Sequence, residues 1–379
     1  KSNLTMAINI VSSPADNASA NDPIVWKFQF SALGTPPAVL RMLYYLADLG
    51  GTRISEIYHW IPKATTEILP VNVNDLVLES VSTSFPSCNV GMVTDSNAVK
   101  SFKVYYAIAS FDTSTGVDTV GSYSQTPVKA VWNTALNMDT ASNFVWTGGK
   151  TGTFMNSYPT RMKWSTDGEQ YAWFAGVGSI RITWYSSTGA TLTTLTHTLT
   201  GATAKYVSLD WRCHSIAKPH SMLLEVNEGT GYVSYNISYD ACTCRGFYTG
   251  LTFLDPLGGR SHIAINCPLE INIERAGGEI IRFDETITTK GRSFFNPSGK
   301  EKVKFTISLG STPEDLSFAK ALLGSPGHHI LKMSESGTKT WYKFILSSGD
   351  YLIIKQKETI LIELTGYLSD DKSGQKIDI

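Results

Sequence analysis

The sequence predicts an all-β protein: tandem β-sandwich or barrel domains with one or two short helices. Three observations carry that expectation. Charge is scarce, with Asp, Glu, Lys and Arg only 17% of 379 residues, while aromatics make up 11% and Gly numbers 31. β-branched and aromatic side chains suit a pleated, half-buried surface better than a helix. Short runs of alternating apolar and polar residues recur along the chain, parted by Gly, Pro, Asn and Ser clusters. Hydrophobic residues at 42% set the chain apart from disordered sequences.

The length suggests two or three units, taken as 1–125, 126–241 and 242–379. In the first, Ala7–Val11 reads as a strand and Asn17–Asp22 as a small-residue loop. Ile24, Trp26, Phe28 and Phe30 alternate with Val25, Lys27 and Gln29, a period-two signal. Val39–Ala47 fits a short helix or a buried strand. Gly50-Gly51 just after it favours a strand and hairpin, with Ile54–Ile61 as partner. Val73–Val81 reads as a short helix capped by Asn74 or Asp75. Phe102–Ala109 is another strand, and residues 111–126 read as a loop rich in Ser, Thr and Gly.

The second unit reads as strands at Val128–Trp132, Met162–Trp164, Gln170–Phe174, Ser179–Tyr185, Thr191–Leu199, Tyr206–Arg212 and Tyr232–Tyr239. Trp146, Trp164, Trp173, Trp184 and Trp211 lie within it. Rings of this size most often fill a sandwich core; facing outward, they would offer a platform for sugars.

The hairpin at 250–265 joins the second and third units. Gly250-Leu-Thr-Phe-Leu and Arg260-Ser-His-Ile-Ala-Ile flank Asp255-Pro-Leu-Gly-Gly, where Gly258 and Gly259 can take positive φ. In the third unit, Leu269–Arg275, Glu279–Phe283, Lys302–Leu309, His329–Met333, Lys339–Leu346 and Thr359–Gly366 read as strands. Ser311–Leu323 reads as the best helix, near 313–323. Ser311 or Thr312 caps it, Pro313 opens it, Glu314 and Asp315 complement its dipole, and Leu316, Ala319 and Leu323 form its apolar face.

Chemistry is harder to find. Net charge is −1, so no basic field argues for nucleic acid. No apolar run approaches the roughly 20 residues of a membrane span, and no secretory pattern is visible. Met6 reads as a start with Lys1–Thr5 an added leader, or the chain is trimmed. Five cysteines are too few and scattered for a disulfide framework. Cys242 and Cys244 read as two thiols at a strand corner, their redox state open. Cys213, His214 and His220 match no common zinc spacing. Gly148-Gly-Lys150-Thr151 lacks the upstream Gly of a phosphate loop. His328 and His329 follow Pro-Gly and open a strand. Asp48, Glu56, Asp240, Asp255, Glu270 and Glu274 are the carboxylates from which a glycosidase pair would come, but spacing joins no two of them. The sequence therefore names no catalytic, cofactor, metal or ligand-binding residue, and the expectation is a non-enzyme with no cofactor.

Three separated pieces resemble a known family. The first is Met6-Ala-Ile-Asn-Ile-Val with Asn21-Asp-Pro-Ile-Val-Trp-Lys-Phe28. The second is Cys244 through Phe253-Leu254 and Leu257-Gly258-Gly259, similar to a hairpin pattern W/F-L-N-x-L-G-G-x-D; Asp255 stands for its Asn, and Ser261-His262 for its acidic residue and neighbour. The third is Leu316–Pro326, similar to a helix ending L-x-S-P. In this order they resemble virion structural proteins of Bacteroidetes phages, components of the tail or its distal apparatus. The resemblance implies a chain located in the phage particle whose partners are copies of itself and other virion proteins, without membrane insertion. It carries over no catalytic residue. The alternative is a virion-surface adhesin for carbohydrate or receptor, resting on outward-facing tryptophans; a glycan-degrading enzyme stands third.

Overall fold

The computed structural model describes residues 8–368 apart from 21–22, 33–37, 134–152, 166–169, 176–177, 201–202, 228–230, 241–247, 277–278, 282–291, 295–297, 326, 334–338 and 357–358. Trp146, Lys150, Cys242 and Cys244 lie outside the described residues, as do both chain ends. The fold is all-β, with strands in several sheets and two short helices.

The first sandwich stacks two sheets. One holds Ile8–Ser12, Val25–Phe30 and Ile68–Asn72; the other is built on the long pair Ala38–Asp48 and Val99–Asp112. Ile24, Trp26, Phe28 and Phe30 all point into the core, as their alternation implies. Ala38–Asp48 is a strand, and Tyr58–Trp60 pairs with it. Tyr45 stacks on its cross-strand partner Tyr105 at 5.2 Å.

Four expectations for this region change. Asn17–Ser19 is a strand, running parallel to Lys129–Trp132. Lys129–Trp132 also pairs with Val99–Asp112, so it completes the first sandwich. Residues 111–126 hold two short strands, Asp118–Val120 and Ser124–Gln125, laid against the same long strand. The helix Asn74–Ser80 is capped from Val73, which has no accepting side chain. Asn74 instead accepts the Ile24 backbone N–H at 2.7 Å and ties the helix to the neighbouring strand.

A second pair of sheets follows. Thr153–Phe154, Tyr171–Ala175, Lys205–Ser208 and Val93–Thr94 form an inner sheet. Every residue of Tyr171–Ala175 is buried. Tyr171, Trp173 and Ala175 face Trp132 and Tyr206 on one side, while Ala172 and Phe174 face the main core on the other. The outer sheet has the order Arg161–Ser165, Tyr232–Asp240, Ser221–Asn227, Gly178–Tyr185, Thr191–Leu199. Trp164, Trp173 and Trp184 are buried and Trp211 is partly so, which makes these four core residues and leaves no outward tryptophan platform among the described residues of this unit.

The last large sheet runs from Arg260–Ala264 through Tyr248–Leu254, His328–Met333, Lys339–Gln356, Thr359–Leu368 and Ser298–Leu309 to Asn266–Ala276. One apolar cluster joins it to the preceding sheets, from Phe154 to Leu368. The helix Pro313–Gly324 packs on this cluster. A capping box joins Thr312 and Asp315, and Pro313 opens the first turn. Its buried residues are Asp315, Phe318, Ala319, Ala321 and Leu322; of the expected apolar face, Ala319 is buried, Leu323 packs partly buried against the cluster, and Leu316 does not. Phe318 reaches the rings of Tyr158 and Phe253, at 5.8 and 5.4 Å, and this aromatic pocket sets the helix rotation. Leu316 remains exposed.

Candidate functional site

The hairpin at 250–265 is a hub onto which separate parts of the chain converge. Leu254 pairs with Arg260, and the turn between them closes on itself: Gly258 donates to the Asp255 carbonyl at 2.8 Å and Asp255 to the Gly259 carbonyl at 2.9 Å. Gly258 has φ 95°, as such a turn needs. Gly259 is required for a different reason than the expected backbone angle. A Cβ there would meet the Met155 carbonyl oxygen at 2.5 Å and Trp173 Cβ at 2.9 Å.

Four consecutive residues fasten the turn from one side. Met155 accepts from the Gly259 N–H at 3.0 Å. Asn156 Nδ2 donates to the Arg260 carbonyl at 2.8 Å and to Ser261 Oγ at 3.1 Å, while its Oδ1 accepts the Trp173 N–H at 2.7 Å. Ser157 donates to one Asp255 carboxylate oxygen from its N–H at 2.8 Å and its hydroxyl at 2.7 Å. Ser261 Oγ donates to that same oxygen, and Leu257 N–H to the other at 3.0 Å. Tyr158 Oη accepts the His262 N–H at 2.9 Å and donates to the Tyr171 carbonyl at 3.0 Å.

The first sandwich reaches the hub from the other side. Arg260 donates to the Thr83 carbonyl at 3.3 Å, lies 4.4 Å over the Phe85 ring and meets His329 Nδ1 at 3.3 Å. Asp95 accepts from Trp173 Nε1 at 3.1 Å and from the Ser84 hydroxyl at 2.7 Å. These bonds give buried polar groups their partners, without which each would cost about 1–3 kcal/mol.

Burial moves the titrating groups. It raises the Asp255 carboxyl, against the four donors that favour its charge. It drives His262 down to about 3, helped by the Arg260 charge. His329 also falls to about 3, from burial and then Arg260, Lys343 and His328. Burial lowers Arg260 to about 10, opposed by Asp95.

Ser261, His262 and Asp255 thus stand together without forming a proton relay. The Ser261 hydroxyl donates to Asp255 directly, and His262 stacks on Trp173 at 5.7 Å with neither ring nitrogen hydrogen-bonded among the described residues. Of the carboxylates considered as glycosidase groups, Asp255 is committed to the turn, Asp48 accepts the Thr52 N–H at 2.7 Å, and Glu56 is exposed in the first sandwich. His328 is held by the Leu322 carbonyl at 2.6 Å. Cys213 is joined to Cys88 in a disulfide with Cα atoms 5.4 Å apart. That bridge, across 125 positions, is the feature sequence reasoning missed outright.

A second feature is a sheet edge on whose far side no strand pairs among the described residues. Thr191–Leu199 ends its sheet, pairing with Gly178–Tyr185 on one side. It contains no Pro and no charged residue. A register shift marks its start near Trp184, and pairing is regular from Thr193 to Leu199. Thr194, Thr196 and Thr198 are exposed on the face away from the core.

No family model matches this sequence, and no curated protein does. Among solved structures, a chain from the tail of an empty GTA particle with C6 symmetry is similar to part of it. That likeness has 12% identity and a TM-score of 0.24, covering 34% of this chain and 96% of that one.

Proposed function

We propose that this chain is a structural protein of a phage virion, a tail or tail-associated component that assembles with copies of itself and with other virion proteins. The observation that carries the reading is the Thr191–Leu199 edge. Proteins that remain monomeric blunt such edges with Lys, Pro, bulges or a covering segment. This strand has a bulge only at its start and offers regular, uncharged backbone beyond it. The resemblance of the hairpin, the N-terminal strands and the Leu316–Pro326 helix to Bacteroidetes phage virion proteins points the same way. Low charge suits large permanent interfaces, whose centres are depleted of charged residues. The Cys88–Cys213 bridge suits a particle that persists outside a reducing cytoplasm. The hub serves as structure on this reading, and the chain performs no reaction.

Light scattering and negative-stain images of the purified chain test the proposal. Rings or tubes are expected, and they should dissolve to folded monomers in the T194K/T196K/T198K variant. A wild-type chain that stays monomeric at high concentration, alone and with neighbouring virion proteins, defeats it. A virion-surface adhesin is the second reading; its support is now the groove described next, since the tryptophans are core residues.

A further inference from the structure

A groove of about 1000 Å³ lies where the five-stranded sheet meets the start of the Pro313–Gly324 helix. Pairing register builds its floor. Tyr185 stands beside Ser221 and Ser221 beside Ser238; Leu223 stands beside Asn236 and Asn236 beside Arg161. All six line the groove. They alternate with Trp184, Met222 and Ile237, which belong to the core, and Met162, Met222 and Ile237 line the groove as well. Glu314 and Asp315 line it too: the Glu314 carboxylate is fixed by the Thr160 N–H and hydroxyl, both at 2.7 Å, and the Asp315 carboxylate by the Thr312 N–H at 3.0 Å and hydroxyl at 2.6 Å.

The lining has a definite chemistry. The side chains of Arg161 and Asn236 are exposed and make no hydrogen bond among the described residues. Ser238 donates to the Met162 carbonyl at 3.3 Å and keeps its lone pairs. Guanidinium donors, an amide with both roles, hydroxyls and two carboxylates therefore stand among Tyr185, Leu223, Met162, Met222, Ile237 and Leu309. One cation, Arg161, stands with two carboxylates, Glu314 and Asp315, each already held by donors of Thr160 and Thr312, so the lining disfavours a strongly acidic ligand. The capping box already satisfies the helix start, and Glu314 repels an anion there. A ligand that matches brings no negative charge, carries many hydroxyls that both donate and accept, and presents an apolar C–H face to Tyr185 and the apolar lining. The volume is that of a site for a molecule of several rings.

We propose that this groove binds a neutral oligosaccharide. The inference is independent of the assembly reading: a chain that fails to oligomerise still has the groove, and one that forms tubes can do so without binding sugar. The experiment presents the full chain with cellotriose, maltotriose, laminaritriose, mannotriose and chitotriose, alongside sialylated and sulfated trisaccharides. Saturation-transfer NMR and calorimetry read the binding. At least one neutral member should bind, and Arg161→Ala and Asn236→Ala should each weaken it roughly tenfold, the loss of one well-made hydrogen bond. Thr196→Ala, on the same face but outside the groove, should leave affinity unchanged. Circular dichroism confirms that each variant folds. Binding only of acidic sugars, binding of none, or binding indifferent to both groove variants overturns the proposal.

Discussion

The hub at Asp255 and the open face at Thr191–Leu199 are both rich in hydroxyls, yet they spend them differently. At the hub, Ser157, Ser261, Asn156 and Tyr158 are buried or nearly so, and each donates or accepts within the protein. On the outer face of the five-stranded sheet, Thr196, Thr198 and Asn236 are exposed to solvent, while Thr194 bonds Thr183 at 3.2 Å. Similar side chains are thus structural where their bonds close inside the fold and available for partners where they do not. Burial explains the difference, because an unpaired polar group is costly only away from water.

Breaking the hub should give the largest effect. Asp255→Ala leaves the Ser157 N–H, two hydroxyls and the Leu257 N–H without their acceptor. A loss of about 3–5 kcal/mol is expected in urea unfolding, the range for stripping the partner from a buried charged cluster. A loss under about 1 kcal/mol would show that these donors find other acceptors.

The disulfide should come next. Cys88→Ser together with Cys213→Ser should cost roughly 2–4 kcal/mol, and reductant should lower the melting temperature of the wild type but not of this variant.

Acid sharpens the comparison further. His262 has an ordinary pKa of 6.5 and a folded value of about 3. The unfolded chain therefore takes up a proton that the fold refuses, and the stability His262 contributes is full above 6.5 and lost as pH falls toward 3. His329 acts in the same direction. Asp255 opposes them: its folded value is raised, so its contribution is full below 3.8 and lost as pH rises through the folded value. His262→Phe should flatten the acid limb of a stability-against-pH curve and leave neutral stability equal or higher, since it removes two unbonded ring nitrogens. An unchanged limb would move the acid sensitivity elsewhere.

The smallest change in stability belongs to the open edge. Thr196→Lys should alter unfolding by no more than about 0.5 kcal/mol while weakening self-association. A large loss of stability would mean that Thr196 is packed within the single chain after all.

Local signals made much of this legible in the sequence. Trp26, Phe28 and Phe30 alternate and are buried; Asp255-Pro-Leu-Gly-Gly is a turn; Thr312 and Pro313 start a helix. What escaped depends on distant partners. Ser157 meets Asp255 across 98 positions, and no local pattern announces that bond. Phe318 displaced Leu316 from the helix interface because Tyr158 and Phe253 wait beneath it. Thr191–Leu199 was readable as a strand, but its place at the end of a sheet follows from strand order, which periodicity does not encode. Asn236 and Arg161 became neighbours only through the pairing of Arg161–Ser165 with Tyr232–Asp240.

Cys88 sits in the segment that follows the first sandwich's helix, and Cys213 lies beyond the inner sheet. A single protease cut anywhere between them yields two fragments that stay tethered. Such a nicked molecule migrates as one species on a non-reducing gel and separates into two only after thiol treatment.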